Sequence, residues 1–252
     1  MERWCRILKI CSMKNSSWNN IRLVVILCVV VFLYAFTGKR NDGRKLSETD
    51  IEFTGNENFI TKERVNNLLI QSYGTVTGIQ KVNLDLGTVE KILNENPMVE
   101  KAEVYATVDG KLKAKITQRK PVARIFDGSQ SYYLDTQGIK MPLSDDETAR
   151  VPLVTGDIQK ADVKKMHKLL AYIYNDDFLN RNIIGLTVSP VGNMILRSRG
   201  DDYDIMFGKP INIERKFENY KAFLQDAAKD TLIKNYKTIN LKFTQQVVCT
   251  KK

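Results

Sequence analysis

The chain has 252 residues, a net charge of +10 and 43% hydrophobic residues, enough apolar material to fill the cores of two modest domains. Nine Lys/Arg and only two acids fall within residues 1–45, leaving thirty basic against twenty-seven acidic residues for 46–252. The excess charge therefore flanks one apolar segment, as it does at a membrane surface. The remainder lacks the basic stripe with interleaved aromatics of a nucleic-acid binder, which sets that class aside.

The apolar segment is IRLVVILCVVVFLYAFTG, residues 21–38. Its uninterrupted part, Leu23 to Phe36, gives about 21 Å of helix against the ~30 Å of a hydrocarbon core. Arg22 can snorkel outward, Trp18 and Tyr34 suit the two interfaces, and Thr37 and Gly38 extend the span. A secretory signal shares the basic start and apolar stretch. Here Ala35-Phe36-Thr37 makes a poor cleavage site and twenty residues precede the segment, so the reading is an uncleaved anchor. Five Lys/Arg on the N-terminal side (Arg3, Arg6, Lys9, Lys14, Arg22) face four beyond it (Lys39, Arg40, Arg44, Lys45), which barely leans toward an inner N-terminus. Of the four cysteines, Cys5, Cys11 and Cys28 lie before or in this segment and Cys249 near the other end, so no disulfide can close inside the later domains.

A polar stretch, residues 39–48, reads as a tether. Ile51 and Phe53 alternate with polar neighbours as a short strand that meets the turn GNEN. Thr61 is placed to cap a helix carrying Val65, Leu68 and Leu69, and Leu84, Val89, Ile92 and Leu93 predict a second helix that ends before Pro97. Ala102, Val104, Ala106 and Val108 share one face of a strand. Asp109-Gly110 predicts a two-residue type I′ turn, and beyond it Leu112, Ala114 and Ile116 face the core while Lys111, Lys113 and Lys115 face water.

After Pro121 the pattern changes to short strands at 125–126, 132–134 and 140–143, a helix over 161–175 burying Val163, Met166, Leu169, Leu170 and Ile173, and strands at 184–189, 194–199 and 203–207. PVGN and RGDD read as turns. Ile213, Phe217, Tyr220, Phe223 and Leu224 lie on one face of a further helix, and 238–248 reads as the last strand. The fold class is α+β: a transmembrane helix, a β-α-α-β-β domain, then a mostly β domain with flanking helices.

The order strand, helix, helix, strand, strand is that of a POTRA domain, and after a single anchor it resembles the FtsQ/DivIB family of bacterial cell-division proteins. Pro97-Met98-Val99-Glu100-Lys101-Ala102-Glu103-Val104 is similar to the family's P-W-V-x-x-A-x-V, and Gln118-Arg119-Lys120-Pro121-Val122-Ala123 to its E-R-x-P-V-A. Leu134-Asp135-Thr136-Gln137-Gly138, Val151-Pro152-Leu153-Val154-Thr155-Gly156, Phe207-Gly208 and Ile239-Asn240-Leu241-Lys242-Phe243 match later landmarks in order, the last resembling V-D-L-R-Y. Met98, Gln118 and Asn240 depart from the family pattern. The resemblance covers 21–248 and implies a tail at 1–20, an anchor at 21–38, a linker at 39–48, a POTRA domain at 49–119, a β domain at 120–248 and a tail at 249–252. It further implies a non-enzymatic scaffold in the inner membrane at the septum, N-terminus inside, that links early and late division proteins and binds FtsB- and FtsL-like coiled-coil partners.

The residues offer little chemistry. His167, the only histidine, sits on a predicted helix as a packing or surface residue, and Cys249 lies too near the chain end for a thiol nucleophile to be shielded from water. Asp145-Asp146-Glu147 lacks the spacing of a calcium loop and reads as a solvated acidic turn, so neither a metal nor a cofactor is expected. An anchored cell-wall enzyme fails on its missing nucleophile and acid pair. A POTRA-type assembly chaperone would need tandem units or a barrel. Attention moves to the last strand, whose edge can accept another strand. Leu241, Phe243 and Gln245 alternate with Lys242, Thr244 and Gln246 before Val247-Val248, and packing inward is one reading of Leu241 and Phe243. The family resemblance implies that this strand region receives the FtsB-like partner and that the aromatic at 243 belongs to the contact; the expected partner-binding set is Leu241, Lys242, Phe243, Thr244, Gln246, Val247 and Val248, with Lys242 suited to an acidic segment and Val247 and Val248 to apolar contact.

Overall fold

The computed structural model describes residues 2–55, 58–74, 78–200, 202–229 and 232–252. Two predicted turns, at Asn56-Glu57 within GNEN and at Asp201 within RGDD, fall outside them. The chain forms two compact units: residues 1–52, 66–92 and 103–114 make the first, and 53–65, 93–102 and 115–252 the second.

The first unit begins with α1 (Glu2–Asp42), one unbroken helix longer than the expected 21–38. Asn20–Asn41 has a mean hydropathy of 2.5, and its twenty-two residues give about 33 Å of helix, long and apolar enough to cross a membrane. The side chains of residues 20–40 are exposed, the Arg22 guanidinium stands 5.7 Å over the Trp18 ring, and the Thr37 hydroxyl donates back to Leu33 O, 2.6 Å. The polar tether is shorter than expected, because the helix consumes residues 39–42, and what remains is pinned on both sides. Leu46 N–H donates to Ile79 O and Gly78 N–H to Leu46 O (2.9 and 2.7 Å), Lys81 N–H to Arg44 O (2.9 Å), and Ser47 N–H to Gly110 O (2.9 Å). Leu46 is buried, so this stretch is part of the fold.

β1 (Glu48–Thr54), α2 (Lys62–Tyr73), a 3-10 turn at Lys81–Asn83, α3 (Leu86–Asn94), β2 (Val99–Ala106) and β3 (Lys111–Gln118) follow in the expected order. The three strands lie as β1-β3-β2. Thr61 Oγ1 accepts from Arg64 N–H, 3.4 Å, as the N-cap of α2. Val65, Leu69, Val89, Leu93, Leu112, Ala114 and Ile116 are all buried, as their periodicity requires. The lysine row of β3 is less free than it reads in sequence. Lys111 pairs with Glu48 at 2.8 Å, and Lys113 pairs with Glu52 and Asp50 at 2.8 and 3.3 Å; these bonds to carboxylates raise both ammonium pKa values.

The hairpin differs from expectation in its turn. Thr107 N–H donates to Lys111 O (2.8 Å) and Gly110 N–H to Thr107 O (3.2 Å), and only Gly110 (φ 83°) is left-handed. Asp109 keeps negative φ, so the connection is a three-residue loop ending in a bulge, which leaves Val108 outside the strand and 69% exposed. A Cβ on Gly110 would lie 2.9 Å from Lys45 O, in a conformation that side chains avoid. Gly110→Ala is therefore expected to destabilise the unit by about 1–2 kcal/mol. It should also speed hydrogen exchange at the Ser47 amide, read by denaturation and exchange on the full chain.

The second unit holds a nine-stranded sheet ordered β12-β11-β10-β9-β8-β7-β4-β5-β6. Its elements are β4 (Pro121–Asp127), β5 (Gln130–Asp135), β6 (Lys140–Met141), β7 (Leu153–Gly156), α4 (Val163–Asn175), α5 (Asp177–Asn182), β8 (Ile183–Val188), β9 (Met194–Ser198), β10 (Asp204–Gly208), α6 (Ile213–Lys229), β11 (Tyr236–Asn240) and β12 (Val248–Lys251). β7 pairs parallel with β4 and β8, and β10 pairs parallel with β11. Parallel neighbours need crossovers: β5, β6 and the following loop lead from β4 to β7, α4 with α5 leads from β7 to β8, and α6 leads from β10 to β11. Ile125, Val154, Leu186, Leu196, Ile205 and Ile239 lie in register across β4, β7, β8, β9, β10 and β11 as one buried row. Met166, Leu169, Leu170 and Ile173 of α4, with Phe217 and Tyr220 of α6, complete this core. Each such side chain contributes about 1.5–3 kcal/mol on burial. Val163, expected inside, is the first residue of α4 and is 53% exposed.

Candidate functional site

The expected last strand over 238–248 is in fact two strands and a loop. The Asn240 side chain accepts from Lys242 N–H (3.0 Å), an Asx turn that ends β11, and Leu241 N–H makes the last bond of that run, to Met206 O at 3.0 Å. The chain then loops through 241–247 and returns as β12, antiparallel to β11. β11 is thereby flanked by β10 and β12 and offers no edge; the border on this side of the sheet is β12, with β6 at the other.

The seven residues expected to form one contact surface consequently part company. Leu241, 1% exposed, belongs to the sheet core and presents no side chain outward, because its register follows the buried row of β11. Val247 is half-buried against the same core. Lys242 and Gln246 are exposed, Phe243 is 53% exposed, and Thr244 is half-buried with its carbonyl accepting from Asn219 Nδ2, 3.0 Å. Of the set, only Val248, 42% exposed, lies on β12.

Two residues outside the expected partner contact hold this region, one of them the glycine of the Phe207-Gly208 landmark. Gly208 (φ 74°) ends β10, and a Cβ there would come within 2.8 Å of Lys242 Cγ, so the glycine makes room for the lysine stem. Lys216, 2% exposed, donates from Nζ to Phe207 O and Lys209 O (2.8 and 2.9 Å) and stands 4.5 Å over the Phe207 ring, tying α6 to the end of β10. Burial pushes its pKa down. Its spacing from Ile213 and Tyr220 places it on the apolar face of α6, which was the available signal.

Lys252 N–H donates inward to Asn235 O, 2.8 Å. Alternation along an antiparallel strand then turns the main-chain groups of Cys249 and Lys251 outward. Lys237, Lys242, Lys251 and Lys252 are exposed here and make no ion pair among the described residues, so the border is basic.

The remaining chemical candidates are occupied by structure. His167 is half-buried, its Nε2 3.1 Å from Asp135 O. Burial raises the Cys249 thiol pKa, the wrong direction for a nucleophile. The acidic turn is bonded: Arg64 meets Asp145 and Asp146 at 3.0 and 3.3 Å, and Asn58 N–H donates to Glu147 at 2.8 Å. Among the described residues no three His, Cys, Asp or Glu side chains gather as a metal site.

A β-α-α-β-β unit preceded by an apolar helix and followed by a mixed nine-stranded sheet with flanking helices is the architecture of a POTRA-bearing protein. Residues 47–117 match the POTRA-like domain model, and residues 120–250 match the FtsQ/DivIB, C-terminal related model. The second match covers more than half of the chain, which belongs to the FtsQ/DivIB family. That family consists of non-enzymatic cell-division scaffolds, and with its apolar helix the chain takes the form of a membrane-anchored division protein. No curated protein matches the chain.

Proposed function

We propose that the chain is a single-pass scaffold of the bacterial division machinery, with a cytoplasmic N-terminus and with its POTRA domain at 49–119 and β domain at 120–248 outside the inner membrane at the septum. It works without catalysis, holding FtsB- and FtsL-like coiled-coil membrane proteins and so connecting early and late septation proteins. The observation that carries this reading is that β12 ends the nine-stranded sheet with a strand neighbour on one side only. An extended partner segment adding to that edge would gain main-chain hydrogen bonds from the outward groups of Cys249 and Lys251. Val248, Phe243 and Val247 offer apolar contact nearby, Thr244 and Gln246 polar contact, and Lys242 with the terminal lysines favours an acidic partner segment. Leu241 supports the site from the core. Anchoring both partners in one bilayer raises their effective concentration without any further contact.

A pair of substitutions isolates the edge. Cys249→Pro removes one outward N–H and leaves the inward ladder bonds, while Cys249→Ala changes the side chain and keeps the N–H. Capture of FtsB- and FtsL-like partners by the proline variant is expected to weaken at least about tenfold, or ~1.4 kcal/mol, with the alanine variant near the parent. Equal capture by both would remove β12 from the mechanism.

A further inference from the structure

We propose that the tip of the β2–β3 hairpin, together with the basic residues around the end of α1, is a docking surface for anionic lipid headgroups. The inference rests on α1 spanning a membrane, as proposed above.

The apolar span ends at Asn41, and Arg44 follows three residues later, within about 10 Å of chain. Arg44 does not trail into solvent: its Nη1 donates to Val108 O at 2.7 Å, at the apex of the hairpin. Lys81 reaches from the other side, its Nζ 3.5 Å from Asn41 Oδ1 and 3.4 Å from Thr107 O. Main-chain bonds from Leu46 to Ile79 and from Ser47 to Gly110 lock the same stretch, and the close approach of Gly110 to Lys45 O leaves no slack. The hairpin apex is thus fixed at the height where the helix leaves the hydrocarbon.

The chemistry at that height is predominantly basic. Lys39, Arg40, Arg44 and Lys45 are exposed and Lys81 half-buried, and none of the five makes an ion pair among the described residues. The same stretches contribute only two acids, Asp42 and Asp109. Lys111, by contrast, is committed to Glu48. At the apex Val108 is an apolar side chain, 69% exposed, whose own carbonyl is held by Arg44. A strand-forming valine at a loop tip has no folding role there, whereas beside a bilayer it can enter the interface while the cations meet phosphates. The attraction acts within a Debye length of about 10 Å, which the short connection satisfies.

The test uses the full chain with Cys5, Cys11, Cys28 and Cys249 replaced by serine, and with an environment-sensitive fluorophore attached through Val108→Cys or, as a reference, through Thr37→Cys. Each is reconstituted into vesicles carrying a headgroup-level nitroxide quencher, either purely zwitterionic or with about 30% phosphatidylglycerol. The Val108 label is expected to be quenched at least about twofold more strongly in the anionic vesicles. A quenched Thr37 label with an unquenched Val108 label, or equal Val108 quenching in both vesicles, overturns the docking surface and leaves the anchor intact. An unquenched Thr37 label means that α1 does not span, and both readings fall together.

Discussion

Asp135→Ala is expected to cost about 3–5 kcal/mol, the largest effect of any single side chain described here. Asp135 is 1% exposed and its carboxylate is fully engaged: Oδ2 accepts from Arg119 Nη1 at 2.8 Å, and Oδ1 accepts from the N–H groups of Gln137 and Ile139 at 2.9 and 2.7 Å. Those two bonds shape the turn that carries β5 into β6. The alanine variant strands three donors at once, one of them a guanidinium with 13% side-chain exposure. Asp135→Asn keeps an acceptor for the turn and loses the charge, so it should fall between the alanine variant and the parent. Urea titration of the full chain reads both, with an unchanged slope marking a change in stability alone. A loss below about 1 kcal/mol for Asp135→Ala would mean that the buried pair is dispensable.

Gln118→Glu is expected to be nearly neutral in acid and strongly destabilising at neutral pH. Gln118, 1% exposed, holds Ile60 with both halves of its amide: Oε1 accepts from Ile60 N–H at 3.2 Å and Nε2 donates to Ile60 O at 3.3 Å. A protonated carboxyl reproduces that donor and acceptor; a carboxylate loses the donor and faces a carbonyl oxygen out of water. The folded state therefore raises the glutamate pKa above its unfolded value of ~4.3, and the folded form binds more protons between the two values. Stability relative to the parent is then retained below ~4.3 and lost as pH rises, by up to about 1.4 kcal/mol per unit, reaching ~2–4 kcal/mol at pH 7. Parent and variant are compared at each pH, which cancels the titration they share. A penalty independent of pH would point to a steric cause.

Much of the fold was legible because its elements bury one regular face. Val65 and Leu69, Leu112 to Ile116, and Met166 to Ile173 each repeat at the period of their element, and each is buried. What escaped depends on contacts distant in sequence or on single hydrogen bonds. Leu153–Gly156 is four residues long and becomes β7 only because β4 and β8 lie on either side of it. The turn at Asp109-Gly110 had the right residues for a hairpin, but a glycine alone in the left-handed region suffices for the longer loop. The C-terminal error is the instructive one. Ile239 to Phe243 alternates as a strand should, yet one side-chain oxygen on Asn240 diverts the backbone. Asparagine's preference for turns is the signal that position offers. The edge therefore lies on β12, which shares only Val248 with the predicted strand.

The pinned stretch from Arg44 to Ser47 bears on how motion would pass along the molecule. A loose leash lets a folded head wander while its stem turns; a stem bolted to its head behaves as a lever. With no free joint between α1 and the hairpin tip, a tilt or rotation imposed on the helix swings that tip by the same angle, and a pull on the tip returns as torque on the helix.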